Sequence, residues 1–178
     1  HSLSAPVLTL SDGSRVELCG KVDRIDSYRK NGKVYVRVVD YKTGAKSFSL
    51  DDIREGYSLQ LLLYLFAVCD SRSDYFRSLL GCEKNDVLTP AGAIYLSMAV
   101  PNFTKKPSDS DETVLKVASD KLTRSGLLLN DCDALRAMSG SLDPKMLAGI
   151  KPSIRDGSFV GKALASAETF EALRAELA

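Results

Sequence analysis

Five side chains in this sequence have types and spacings that could do chemistry together: Asp23, Asp40, Lys42, Gln60 and Tyr64. Asp40 and Lys42 stand at Asp-x-Lys spacing. Side chains alternate faces along an extended chain, so these two share one. Two carboxylates, from Asp23 and Asp40, and the main-chain carbonyl of Tyr41 are hard oxygen donors suited to Mg²⁺ or Mn²⁺. A metal held there would polarise a phosphoryl oxygen and lower the pKa of bound water. Lys42 would orient that water or stabilise charge on a pentavalent phosphorus. An isolated Asp-x-Lys would favour a surface hairpin with a side-by-side ion pair, so the surrounding string has to decide.

That string runs from Gly20 to Gly44, GKVDRIDSYRKNGKVYVRVVDYKTG. Asn31-Gly32 predicts a two-residue hairpin turn of type I′, which needs φ > 0 at both central positions. Lys21 to Tyr28 and the Val- and Tyr-rich Val34 to Thr43 read as its two strands. In the second strand Val34, Val36, Val38, Asp40 and Lys42 share a face, and Tyr35, Arg37, Val39 and Tyr41 the other. An apolar face that ends in a carboxylate and an ammonium must pair those charges or give them a metal. Asp23 can reach the same end from the partner strand. Asp26, an odd number of residues away, points to the opposite face, where Arg24 is its expected partner.

Beyond a polar loop at Ala45 to Ser49, a helix is expected to start near Ser49 or Leu50, with Ser49 as N-cap and Asp51 and Asp52 at the positive end of its dipole. From Leu59 to Val68 the residues are apolar on almost every side, as in a helix buried against a sheet. Gln60 and Tyr64 interrupt this at i, i+4 and share a face, with Tyr57 one turn earlier. A buried glutamine needs partners. Beside the metal strand the pair would contact a substrate phosphate or hold Lys42, although Tyr64 alone also fits an ordinary core tyrosine.

The segments GKVDRID, VVDYKTG and QLLLYLFA resemble the RecB-type branch of the PD-(D/E)xK nuclease superfamily. Within it they are most similar to the C-terminal nuclease domains of AddB, the B subunits of bacterial ATP-dependent helicase/nucleases. AGAIYLSM, GLLLND and KPSIRDGSF extend the resemblance over most of the chain. It implies Asp23 and Asp40 as metal-binding acids, Lys42 as the catalytic lysine, and Gln60 and Tyr64 as the Q-x-x-x-Y pair of the following helix. It also implies an α/β, restriction-endonuclease-like core, a central mixed sheet of four or five strands flanked by helices. The implied cofactor is Mg²⁺ or Mn²⁺, and the implied partners are DNA and the helicase/nuclease A subunit. Such domains carry a cysteine-ligated iron–sulfur cluster. The clustered cysteines expected near the C-terminus are absent, so no cluster is expected in this fragment. The branch also has a catalytic histidine on upstream helices, which His1, the only histidine, does not match.

Length and composition agree with one soluble domain over residues 1–178, a piece of a larger subunit: 44% hydrophobic and 26% charged, with a net charge of +1. That charge neither advertises nor excludes a nucleic-acid binder. No apolar run has the length of a membrane span and no signal-peptide pattern opens the chain, so no membrane partner and a cytoplasmic location are expected. Cys19, Cys69, Cys82 and Cys132 are scattered, which fits reduced thiols better than zinc.

Elsewhere, Val7 to Leu10, Arg15 to Cys19 and Ala93 to Val100 read as strands. Ser71 to Leu80, Thr113 to Leu122, Cys132 to Met138 and Ser166 to Leu177 read as helices. Glu83 to Pro90 and Asn102 to Glu112 read as loops, with Lys105-Lys106 more simply a solvated pair than a phosphate contact. Lys151 to Phe159 suggests a small hairpin turning at Asp156-Gly157. The function expected from all this is metal-dependent phosphodiester hydrolysis on DNA, in the exonuclease domain of a helicase/nuclease that resects double-strand breaks. The alternatives are a catalytically silent scaffold bracing DNA or a partner chain, and another RecB-like exonuclease.

Overall fold

The computed structural model describes residues 7–9, 12–17, 20–44, 47–98, 110–114, 124–139, 151–152 and 159–177. Strands β1 (Val7–Thr9) and β2 (Arg15–Glu17) pair antiparallel as a separate small sheet. Next comes the hairpin of β3 (Arg24–Lys30) and β4 (Lys33–Lys42). Asn31 and Gly32 have φ of 51° and 73°, both left-handed as the tight turn requires. Lys30 pairs with Lys33 across it. The first strand starts at Arg24, later than the Lys21 expected, because a side chain replaces main chain there. The Tyr41 N–H donates to the Asp23 carboxylate at 3.0 Å rather than to a strand carbonyl.

The chain then passes through three helices, α1 (Leu50–Arg54), α2 (Gln60–Cys69) and α3 (Asp74–Leu79), capped by Ser49 at α1 and Ser73 at α3. Gly56 and Ser58 have φ of 87° and 57°, which breaks the helix between α1 and α2. Tyr57 is therefore an exposed residue between them and not one turn ahead of Gln60 on a continuous helix.

Strand β5 (Val87–Ser97) returns parallel to β4. It includes Val87 to Pro90, which the sequence pattern assigns to a loop. Pro90 is tolerated because the register shifts there: Val36 faces Pro90 and Arg37 faces Gly92, leaving Ala91 as an extra residue. Pairing with β6 (Arg124–Leu129) starts only at Gly92, so no ladder bond to β6 is asked of the proline. Residues 111–114 are helical, with Ser110 Oγ accepting from the Thr113 N–H at 3.2 Å. That helix starts two residues earlier than expected. Lys105-Lys106 and the Asp156-Gly157 turn lie outside the described residues.

After β6 come α4 (Cys132–Ser139), the antiparallel pair β7 (Lys151–Pro152) and β8 (Phe159–Val160), β9 (Leu164–Ala165) and α5 (Ala167–Glu176). The main sheet has five strands in the order β3-β4-β5-β6-β9 and is mixed. One face buries Val34, Val36, Val38, Ala93 and Leu127 in a core shared with Leu61, Leu62 and Leu65 of α2 and Phe170 and Leu173 of α5. On the other, Leu135 of α4 packs with Ile94, Leu128 and Phe159.

One ion pair pins the edge strand to the start of β5. Arg29 Nε donates to Asp86 Oδ2 at 2.5 Å, the Glu83 N–H donates to the same oxygen at 2.8 Å, and Arg77 Nη2 donates to the Asp86 carbonyl at 2.6 Å. The Arg29 guanidinium holds the Asp86 carboxyl below the ordinary carboxylate range. A folded-state pKa that is depressed contributes stability above the unfolded value and loses it as pH falls through the folded one. The unfolding temperature is therefore expected to drop below about pH 4. Thermal melts of Asp86→Asn should show a lower midpoint at pH 7 and a shallower loss between pH 7 and pH 3. An unchanged acid limb would contradict this assignment.

Candidate active site

Three of the five sequence-selected residues gather where β4 leaves the core. The hairpin register pairs Arg24 with Val39 and Ile25 with Val38, so Asp23 comes next to Asp40 on the α2 side. Asp40 is 9% exposed. Lys42 Nζ lies 2.7 Å from Asp40 Oδ2, and that oxygen is buried with no other partner among the described residues. The buried carboxylate is thus paired with an ammonium, one of the two ways a buried charge is compensated, a metal ion being the other. The Tyr41 N–H points to Asp23, and the N–H and C=O of one strand residue point to the same edge. The Tyr41 carbonyl is thus on the Asp23 side, while the Lys42 carbonyl is taken by the Met98 N–H at 2.7 Å. Among the described residues no group of three or more His, Cys, Asp or Glu side chains that could hold a metal gathers anywhere, and this site brings together two acids, Asp23 and Asp40.

Lys42 is held by two groups. Its hydrogen bond with Asp40 raises its pKa, so the ammonium stays charged through neutral pH. Its Nζ also lies 5.6 Å from the centroid of the Tyr95 ring, within cation–π range. Tyr95 is next to Asp40 in the β4–β5 register and is nearly buried. Burial pushes its phenol pKa up, with Lys42 opposing. Sequence reasoning misses Tyr95. The alternation of Ala93, Tyr95 and Ser97 is visible there, but the parallel register that sets Tyr95 beside Asp40 is not.

Gln60 and Tyr64 form their own pair, with Gln60 Nε2 donating to Tyr64 Oη at 2.9 Å. Gln60 is exposed, not buried, because it is the first residue of α2. Tyr64 lies against Gly20: a Cβ built on that glycine would sit 2.2 Å from Tyr64 Oη. The pair therefore meets the start of the Gly20–Asp23 segment, and Asp40 and Tyr95 are what hold Lys42.

The sequence profile of the PD-(D/E)XK nuclease superfamily matches residues 3–178. The chain belongs to this superfamily. Its five-stranded mixed sheet with helices on both faces is the α/β, restriction-endonuclease-like core of these nucleases. Similar proteins include the B subunit of the ATP-dependent helicase/deoxyribonuclease of Clostridium acetobutylicum, 35% identical over 173 residues, which are 96% of this chain and 14% of that protein. The proteins of the same name from Thermoanaerobacter sp. (strain X514) and Clostridium kluyveri are 32% and 34% identical over 94% of this chain. The chain spans 14% of the length of each.

On the other face of the nuclease sheet, Asp26 takes Arg24 Nε at 2.7 Å and Arg37 Nη2 at 2.6 Å. The Arg24 pairing matches the sequence-based expectation, and Arg37 adds to it. Burial pushes the Asp26 carboxyl up, but the two arginines outweigh it and hold its pKa below the ordinary value. This triad ties β3 to β4 behind Asp23 and Asp40. No helix among the described residues is long and apolar enough to cross a membrane.

Proposed function

We propose that the chain is a metal-dependent DNA exonuclease domain of a helicase/nuclease B subunit. In this reading it hydrolyses phosphodiester bonds during double-strand break repair and recombination, in the cytoplasm, alongside an A subunit. The observation that carries it is the buried Asp40 oxygen set against Lys42 and beside Asp23. Asp23, Asp40 and the Tyr41 carbonyl would hold Mg²⁺ or Mn²⁺, whose chemistry is to polarise the phosphoryl group and acidify water. Lys42, kept charged by Asp40 and seated on Tyr95, stabilises the charge that builds on the phosphoryl oxygens as water adds and the P–O ester bond breaks. Gln60 and Tyr64 present an amide and a phenol to the DNA backbone.

The test is degradation of end-labelled linear DNA. Mg²⁺ or Mn²⁺ should support release of short products, and EDTA should stop it. DNA that is bound but never cut, under either metal, would replace this reading with a scaffold that braces DNA.

A further inference from the structure

The geometry points to Phe48 as a positioning residue for Lys42, acting through the Tyr95 ring and touching no reacting atom. This rests on the nuclease reading above, which gives Lys42 its task, and concerns what keeps the lysine in place.

Lys42 needs a seat that does not depend on Asp40. Its ion pair among the described residues is with Asp40 Oδ2, at 2.7 Å, and the nuclease reading gives that same carboxylate to the metal. The lysine stem is long and flexible, so a single shared anchor leaves the ammonium loosely placed. The Tyr95 ring supplies a second seat. Lys42 Nζ is 5.6 Å from its centroid, and Tyr95 is nearly buried, where cation–π attraction is stronger than at an exposed site.

Such a seat works only if the ring is held. Tyr95 pairs in register with Asp40 on β4 and with Ser125 on β6, so the three side chains line up across one sheet face. Beyond Lys42 the chain reaches the far end of this row. The Phe48 N–H donates to Ser125 Oγ at 2.6 Å, which ties Phe48 to β6. The half-buried Phe48 ring then lies 6.5 Å from the Tyr95 ring, tilted by 49°, inside the range of a favourable aromatic pair. Lys42 meets the tyrosine from β4, and Phe48 meets it from its anchor on β6. The Phe48 side chain has no polar atom, so its effect on Lys42 passes through packing on Tyr95.

The experiment reads Lys42 twice, without metal and in turnover. In EDTA, ¹³C-lysine labelling reports the Lys42 ε-methylene, identified by its loss in Lys42→Ala and shifted by the Tyr95 ring in the wild type. Tyr95→Leu should abolish that ring-current shift. Phe48→Leu, which keeps apolar bulk, should reduce it, and Phe48→Tyr should restore it. In turnover of linear DNA with Mn²⁺, Phe48→Leu should lower kcat about tenfold with KM unchanged, and Phe48→Tyr should recover most of the loss. A merely structural Phe48 would lower the melting point and leave the Lys42 shift alone. An unchanged Lys42 shift in Phe48→Leu, a rise in KM in place of the fall in kcat, or a loss that Phe48→Tyr does not recover would each overturn the inference. Cutting with a Phe48-independent Lys42 shift removes only the positioning role. A Phe48-dependent shift in a protein that cuts no DNA removes only the nuclease.

Discussion

Asp40→Asn is expected to bring DNA hydrolysis down to the background of the assay while the protein stays folded. Asp40 supplies the buried oxygen that faces Lys42, and an amide there cannot give the metal a full negative charge. The stability cost is small by comparison. The Lys42 side chain is 35% exposed, so solvent screens the lost ion pair to about 1 kcal/mol. Lys42→Ala should behave differently. In the proposed reaction its ammonium would act on charge that develops only in the transition state, so kcat should fall about 10²–10³-fold with KM near the wild-type value. Steady-state kinetics with thermal melts on the same samples check both. A melting point that falls in step with activity would make the pair structural and remove its catalytic assignment.

Gly20→Ala should cost about a hundredfold in activity and only about 1 kcal/mol in stability. The new methyl carbon would lie 2.2, 2.6 and 2.7 Å from the Oη, Cε1 and Cζ of Tyr64, so the ring has to leave. It can do so cheaply, because these atoms are the far end of a side chain that is only half-buried, which puts the penalty at the low end of overpacking, about 1 kcal/mol. Position is what is lost. The Gln60–Tyr64 hydrogen bond breaks, and misplacement of contact groups by about 1 Å can cost about a hundredfold. The double variant Gly20→Ala/Tyr64→Ala should be no worse than Tyr64→Ala, because the two changes remove the same arrangement. Additive losses would mean that Gly20 acts independently of Tyr64.

The hairpin and its charges are legible in the sequence because local rules govern them. Asn31-Gly32 dictates its turn, and period-two alternation places Val34 to Lys42 and sets Asp26 on the far face. Residues whose roles depend on neighbours brought in by the fold are not legible. Tyr95 gains its place beside Asp40 from a parallel pairing between strands separated by three helices. Gly20 carries no chemical group, and its meaning appears only when α2 sets Tyr64 on it. Pro90 reads as a loop residue because the ladder shift that accommodates it is invisible in one strand alone. Gln60 reads as buried because an apolar helix hides where its first exposed residue falls. The gathering of Asp23, Asp40 and Lys42 follows the sequence-based expectation, whereas their assignment as a catalytic set remains the proposal that the variants test.

The most direct test of the central claim is calorimetry of Mn²⁺ binding to the wild type, Asp40→Ala and Lys42→Ala. A metal site built on Asp23 and Asp40 with a separate lysine predicts saturable binding in the wild type, none in Asp40→Ala and largely preserved binding in Lys42→Ala. No binding in the wild type, or binding that survives Asp40→Ala, would contradict it.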